Sequence, residues 1–227
     1  MLRIKDWTVD LIYAVRGAAR MYLVHKHPKH YLEFVKENKV PVIIIPGVLG
    51  RWAFAKPLAD KISLEGHPVY IVPKLGNNLK DIPTSAKLVR ELIDENNLKN
   101  VVLIAHSKGG FVGKYILKHL NSDERVVRMI SVATPYSGSS LAKIFHYPRF
   151  REFSPESKMI KEISSYSDIN HKVISINPSF DNIVWHEKGA YLKGAKNINV
   201  KIGGHNRVLN DKEVINIILR ELSKNSP

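Results

Sequence analysis

Ser107, which follows a short apolar run, is the residue of this sequence best suited to nucleophilic chemistry. The run VVLIA (101–105) leads into His106, Ser107, Lys108 and two glycines, and the residues that follow have helical periodicity. A small-x-Ser-x-Gly pattern between a buried strand and a helix is typical of a nucleophile elbow, a sharp turn that exposes the serine hydroxyl. The alternative is that Ser107 only caps the helix that follows it.

A serine nucleophile needs a histidine base, and the base needs a carboxylate that orients it. Reactive side chains in an open parallel sheet lie at the carboxyl ends of the strands, and this rule selects His205 and Asp181. His205 comes three residues after the last predicted strand, and Asp181 follows the strand before it. The order Ser107, Asp181, His205 therefore predicts a catalytic triad. The alternatives are a surface histidine and an aspartate that caps a turn.

Acyl chemistry also needs N–H donors for the oxyanion that develops on the substrate. One donor is predicted on the backbone of Lys108, directly after the nucleophile. The second is predicted on the backbone of Val48, in the loop IPGVLGRW (45–52) after the first core strand. The Lys108 side chain has two interpretations: it attracts an anionic substrate, or it projects to solvent along the helix. We expect the second.

Six apolar runs rich in β-branched residues alternate with helical patterns along most of the chain. Their lack of polar alternation predicts strands buried on both faces, and strand–helix–strand order predicts parallel pairing. We therefore expect an α/β fold with one doubly wound, mostly parallel six-stranded sheet. The predicted strands are 41–45, 68–72, 101–105, 126–132, 172–176 and 198–202, and the predicted helices include 52–66, 82–97, 211–224 and the opening stretch.

Residues 137–171 are too many for an ordinary loop and contain helical pieces, so we expect a short helical cap inserted over the site. The expected organisation is an N-terminal basic amphipathic helical segment over 1–40 and one domain over 41–227. Several aromatic and apolar residues are candidates for an acyl pocket, although they fit a core role equally well. They are Leu49, Trp52, Phe145, Tyr147, Phe150 and Phe153.

The composition excludes other kinds of chemistry. The chain has no cysteine, so thiol nucleophiles, disulfides and zinc–thiolate sites are excluded. Its net charge of +14 is scattered and not interleaved with aromatic residues in one block, so we expect no nucleic-acid partner. Three histidines (His25, His27 and His30) lie in a basic stretch where Pro28 breaks the helix, so a solvated turn is predicted. The motif contains no carboxylate, and we expect no metal site there.

The opening stretch predicts an amphipathic helix. Asp6, Asp10 and Arg16 interrupt its apolar run, so it fits neither a signal peptide nor a membrane span. Its apolar residues recur at steps of three and four: Trp7, Leu11, Val15, Ala18 and Tyr22. Either the helix packs on the body, or residues 1–38 contact an anionic membrane surface. We expect a cytoplasmic location, peripheral at the membrane in the second case.

Six motifs together resemble the α/β-hydrolase superfamily, within it the lipase and esterase branch related to triacylglycerol lipases. They are IPGVLGRW, AHSKGG, ATPYSGSS, FSPESKMIKEI, FDNIV and GGHNRV, and the resemblance runs from about residue 41 to 222. TPYSGS (134–139) and SPESKM (154–159) are more specific than the elbow. The sequence departs from the branch in two ways: Pro46 stands where a histidine commonly precedes the glycine, and the sheet begins at the family's third strand.

The resemblance implies hydrolysis of carboxylic esters, lipids among them, through an acyl-serine and without a cofactor. Ser107 would attack the carbonyl, His205 would carry the proton, Asp181 would hold the imidazole, and the Val48 and Lys108 amides would stabilise the oxyanion. Two alternatives stay open. One is an acyltransferase or thioesterase with the same triad. The other is a non-catalytic membrane-surface protein that keeps the fold.

Overall fold

The computed structural model describes residues 4–139, 152–184 and 189–224. Six strands form one sheet in the order β2-β1-β3-β4-β5-β6, and all neighbouring strands are parallel. The doubly wound six-stranded sheet predicted from the sequence is confirmed. Its strands are β1 (Val42–Ile45), β2 (Val69–Ile71), β3 (Val101–His106), β4 (Val126–Val132), β5 (Val173–Phe180) and β6 (Lys196–Gly203).

Helices cover both faces of the sheet and enclose two layers of apolar core. One layer lies under α4 and α5, and the other lies under α3 and the C-terminal helix α8. Every residue of β1 and β3 is buried, as strands covered on both faces require. The helices are α1 (Ile4–Leu23), α2 (His30–Glu33), α3 (Lys56–Leu64), α4 (Ile82–Glu95), α5 (Lys108–His119), α6 (Lys158–Ser165), α7 (Arg207–Asn210) and α8 (Lys212–Ser223).

Strands β5 and β6 extend beyond the apolar runs that predict them. In β5 the polar Asn177, beyond the run 172–176, continues the pairing opposite Asn199 of β6, and the Asn177 side-chain amide donates to Asn199 Oδ1 at 3.0 Å. Side-chain hydrogen bonds between neighbouring strands stabilise pairing where no apolar surface is buried. The extension brings the end of β5 directly to Asp181.

Helix α1 packs on the body through its polar and small residues. The carboxylate of Asp10 is buried, and Gly17 lies against the ring of Phe54, where any side chain would overlap that ring. The apolar stripe faces outward, with Leu11, Val15 and Tyr22 exposed at 63%, 60% and 79%. The predicted amphipathic helix is present, but most of its apolar stripe faces outward, and the face that carries Asp10, Ala14, Gly17 and Met21 meets the protein. Within the described residues, no helix has the length and apolar character needed to cross a bilayer.

The described part of the predicted cap contains one helix, α6. Its first turn is capped by Ser157, whose Oγ accepts from the Ile160 N–H at 3.1 Å. Residues 140–151 lie outside the described residues. The cap over 137–171 and the division at residues 40 and 41 therefore stay predictions.

Candidate active site

Ser107 occupies a strained turn between β3 and α5. Its φ of 52° and ψ of −120° lie outside the regions that a serine prefers. The side chain makes no capping hydrogen bond to α5, although Ser107 stands at the N-cap position of that helix. The capping interpretation therefore does not explain the conformation of Ser107. A nucleophile elbow, which places the serine at the cavity, does explain it.

Three neighbours hold the Ser107 backbone in this conformation. Its N–H donates to the Val132 carbonyl at 3.0 Å, and its own carbonyl accepts from Thr134 Oγ1 at 2.9 Å. Gly109 permits the close crossing of α5 over β1, because a Cβ there would overlap the Ile45 carbonyl oxygen. The strain is thus supported by surrounding contacts, as strained residues at functional sites require.

Asp181 and His205 meet at the carboxyl ends of β5 and β6. His205 Nδ1 lies 2.8 Å from Asp181 Oδ2, and both side chains are buried. The other carboxylate oxygen, Oδ1, accepts from the N–H groups of Ile183 and Val184, each at 2.8 Å. The loop therefore fixes one oxygen and leaves the other for the imidazole. Because Oδ2 can only accept, Nδ1 carries the proton and Nε2 is the basic nitrogen.

The surroundings favour the ionised form of Asp181 and the protonated form of His205. Burial alone would lower the pKa of His205, but the charge and hydrogen bond of Asp181, with a further contribution from Asp10, raise it above its ordinary value. Burial likewise opposes ionisation of Asp181, but His205 and the two loop N–H groups bring the pKa of this carboxyl below its usual range. Asp181 is therefore ionised, and it stabilises an imidazolium.

Ser107 and His205 line the same cavity, which has a volume of about 380 Å³. Its walls are mostly apolar, and Gly47 and Val48 of the loop after β1 border it. A Cβ on Gly47 would lie 3.1 Å from Ser107 Cβ, so this loop passes directly over the serine. Lys108 begins α5 next to Ser107, and backbone N–H groups point outward at a helix N-terminus. Both predicted oxyanion donors thus belong to segments that meet at Ser107.

The expectation that the Lys108 side chain projects to solvent is wrong. The residue is only 3% exposed, and its ammonium donates to the Asn78 carbonyl at 2.8 Å and to the Lys80 carbonyl. Asn78 in turn donates to the Pro46 carbonyl at 2.7 Å. The turn at 78–80 brings two backbone carbonyls within reach of a side chain at the N-terminus of α5, and they replace water as partners of the ammonium. Lys108 thereby supports the loop that carries Val48.

His106 is a second buried histidine, adjacent to the serine. Burial lowers its pKa to about 3, so the ring is neutral. Its Nε2 lies 3.0 Å from the His205 carbonyl oxygen, and since a carbonyl only accepts, this nitrogen carries the proton. His106 therefore fixes the backbone of His205 and is not a base.

The predicted pocket residues have different positions. Leu49 lines the cavity and is half exposed at its rim. Trp52 is not brought there: its ring packs edge-on against Tyr31, with centroids 6.1 Å apart, on the core side of the loop. Phe153 belongs to the core and stacks on Phe111. The remaining candidates, Phe145, Tyr147 and Phe150, lie outside the described residues.

Sequence reasoning missed several residues that organise the site. Thr134 begins the motif TPYSGS, but its bond to the Ser107 carbonyl was not predicted, although it follows β4 at the same sheet edge. Asn182 follows the end of β5 directly after Asp181, so the strand-end rule points to it, whereas Asn78 carries no such signal, because its partners Pro46 and Ser85 are brought near only by the fold. Asn182 Oδ1 accepts from the His205 N–H at 3.0 Å. It therefore links the loops that carry the acid and the base.

Comparison with known proteins gives one family match. The family model of lecithin:cholesterol acyltransferase matches residues 84–203. This region contains Ser107 and Asp181 and ends just before His205. The match therefore covers the predicted nucleophile and acid within their structural elements.

Solved structures of lipases and other hydrolases share the fold. The mature lipase BlEst2 of Bacillus licheniformis is 16% identical with a TM-score of 0.66, over 84% of this chain and 95% of that chain. Lipase B of Aspergillus fumigatus is 17% identical with a TM-score of 0.67, over 86% of this chain and 55% of that chain. The α/β hydrolase MGS-MChE2, from a lagoon-sediment metagenome in Morocco, is 19% identical with a TM-score of 0.60, over 82% and 91%. The predicted α/β-hydrolase fold is confirmed.

Proposed function

This chain belongs to the lecithin:cholesterol acyltransferase family, whose model matches more than half of its 227 residues, and we propose that it hydrolyses carboxylic esters of lipids. Its membership of the lipase and esterase branch, predicted from the motifs, is confirmed by this match. In the reaction that we propose, Ser107, His205 and Asp181 act as a catalytic triad without a cofactor.

In the proposed reaction, Ser107 Oγ attacks the ester carbonyl carbon while His205 Nε2 takes the hydroxyl proton. The carbonyl oxygen becomes an oxyanion, which the N–H groups of Val48 and Lys108 stabilise. The intermediate collapses to an acyl-serine, and the alcohol leaves with the proton from His205. Water then attacks the acyl-serine, giving a proton to His205, and the carboxylic acid leaves as Ser107 regains its hydrogen.

The observation that carries this proposal is the buried hydrogen bond of 2.8 Å between His205 Nδ1 and Asp181 Oδ2 at the cavity of the strained Ser107. A turn aspartate and a surface histidine, the structural alternatives, would both be exposed. A non-catalytic scaffold would have no use for a serine held at positive φ. Together these features support an enzyme over a membrane-surface scaffold.

A chain-length series of p-nitrophenyl esters and matching thioesters tests the substrate class. The apolar cavity predicts that kcat/KM rises about 3- to 4-fold with each methylene that fills it, from burial of apolar surface. Initial rates for acetate, butyrate, octanoate and palmitate esters measure this dependence. A maximum at acetate, or no turnover of any ester, would contradict a lipid ester substrate. Thioesters turned over faster than the matched esters would identify a thioesterase.

Acyl transfer is a second candidate function, and the matched family model favours it because that family is named for an acyltransferase. The acyl-serine is common to both reactions, and only the acceptor differs. The same assay with a long-chain alcohol added separates them. A hydrolase releases free acid at an unchanged rate, whereas a transferase accumulates the new ester at the expense of the acid.

We further propose that the outer face of α1, defined by Leu11, Val15 and Tyr22, contacts an anionic lipid surface. Ala14 and Met21, on the inner side of the same helix, line the cavity, so the face lies beside the candidate active site. Amphipathic helices that carry exposed apolar and basic residues bind such interfaces. The basic side chains of Lys5 and Arg16 are exposed on α1. They supply the charge that complements the lipid.

We expect the double variant Leu11→Ser/Val15→Ser to bind anionic vesicles at least about 10-fold more weakly than the unmodified protein, because two apolar side chains no longer enter the interface. Flotation with phosphatidylglycerol-containing and pure phosphatidylcholine vesicles measures the affinity. Leu64→Ser is the matched control, since Leu64 is exposed on α3 away from this face. Equal flotation of the double variant and the unmodified protein would contradict the proposal.

A further inference from the structure

Asp10 is a buried carboxylate of α1 that lies among the loops of the candidate triad. It is only 1% exposed, although it stands in the middle of a surface helix. An ionised carboxylate at such a position must be compensated by several hydrogen bonds, because burial of an unpaired charge is strongly unfavourable. Its partners come from segments more than 170 residues away in sequence.

Each carboxylate oxygen of Asp10 accepts two hydrogen bonds. Oδ1 accepts from the backbone N–H groups of Asn206 and Arg207, at 2.7 and 2.8 Å. Oδ2 accepts from the side-chain amides of Asn182 and Asn206, each at 2.9 Å. The four donors flank the predicted acid and base in sequence: Asn182 follows Asp181, and Asn206 follows His205.

A relay of hydrogen bonds joins Asp10 to His205. Asn182 donates to Asp10 through its amide nitrogen and accepts the His205 N–H through its amide oxygen at 3.0 Å. Gly204, with φ of 113°, lets the loop before His205 pass close to the carboxylate, since a Cβ there would lie 2.5 Å from Asp10 Oδ1. Loop geometry and carboxylate position therefore depend on each other.

We propose that Asp10 is a positioning residue for the triad. From α1 it fixes the loops of Asp181 and His205 relative to each other, and it adds negative potential at the imidazole. This inference rests on the proposed function of Ser107, His205 and Asp181. Asp10 itself does not line the cavity of Ser107. It acts through Asn182, Asn206 and the backbone after His205.

The electrostatic part of this role has a definite sign. The groups that face His205 are Asp181 after β5, Asp10 from α1 and the neutral His106 from β3, and the cationic Arg207 lies two residues further along the chain, at the start of α7. Asp10 contributes to raising the pKa of His205. The base must be neutral to accept the serine proton, so loss of the Asp10 charge moves the acid limb of kcat/KM to lower pH.

The test compares Asp10→Asn with the unmodified protein in two assays over a pH range: ester turnover, and the rate at which a fluorophosphonate labels Ser107. We expect both kcat and the labelling rate to fall about 10²-fold, as a misplaced catalytic group requires, with KM unchanged within about 2-fold. The acid limb should move to lower pH. Asp60→Asn is the matched control, because Asp60 ties α2 to α3 through Tyr31 and contacts neither triad loop; it should retain activity.

Asn206→Ala keeps the test decisive if Asp10→Asn does not fold. This variant removes one amide bond to Oδ2 and leaves both backbone bonds to Oδ1, so a smaller loss, about 3- to 10-fold, is expected. Unchanged kcat and labelling in folded Asp10→Asn, an unmoved acid limb, or an equal loss in Asp60→Asn would each overturn the positioning role. Absence of Ser107 labelling in the unmodified protein would overturn the proposed function, and this inference with it.

Discussion

Ser107→Ala is expected to lower kcat for ester hydrolysis by about 10⁵- to 10⁶-fold, because no acyl-serine forms and only weak catalysis by the remaining site persists. Little stability should be lost, since the Ser107 side chain makes no capping bond and the positive φ is held by the Ser107 backbone, which bonds to the Val132 carbonyl and the Thr134 hydroxyl. Steady-state kinetics on the preferred p-nitrophenyl ester, with far-ultraviolet circular dichroism to verify folding, measures the effect.

The matched control for this change is Ser63→Ala. Ser63 is a buried serine on α3 that donates to the His30 carbonyl, away from the cavity. It should keep ester turnover within about 3-fold, as expected for a loss of one remote hydrogen bond. Full activity in folded Ser107→Ala would exclude Ser107 as the nucleophile.

Asp181→Asn has the second largest expected effect, a fall in kcat of about 10⁴-fold, because an amide at this position stabilises the wrong imidazole tautomer. The amide oxygen still accepts from the Ile183 and Val184 N–H groups, so the loop keeps its shape. The amide nitrogen then faces His205 Nδ1 as a donor. The proton moves to Nε2, and the ring can no longer take the proton of Ser107.

The pH dependence provides a second readout for this variant. Asp181 raises the pKa of His205, and activity is lost as pH falls through that value because the base becomes protonated. The residual activity of Asp181→Asn should therefore show its acid limb at lower pH than the unmodified protein. Asp168→Asn serves as the control: Asp168 is an exposed acid paired with Lys118, before β5. A comparable loss of kcat in Asp168→Asn would contradict a specific role for Asp181.

The sheet and the positions of Ser107, Asp181 and His205 were predictable for one physical reason. Buried parallel strands appear in the sequence as continuous apolar runs, and their carboxyl ends share one edge. Residues just after those runs are therefore neighbours, whatever lies between them in the chain. The same reasoning extends to Thr134 after β4.

The polar contacts that support the site were not predictable in this way. The ammonium of Lys108 finds carbonyls in a turn near residue 78, and Asp10 finds loops near 182 and 206. These partners depend on how the elements pack, and no local pattern encodes them. The orientation of α1 shows the same limit: periodicity identifies an apolar stripe, but a buried carboxylate and a glycine decide which side meets the body.

Mass spectrometry of the protein after reaction with a fluorophosphonate tests directly whether Ser107 is an activated nucleophile. Such probes bond covalently only to serines activated by a neighbouring base. A single adduct is expected on the intact protein, mapped to the peptide that contains Ser107 and absent from folded His205→Ala and Ser107→Ala. No adduct on the unmodified protein, or an adduct on another serine that persists in Ser107→Ala, would contradict this role.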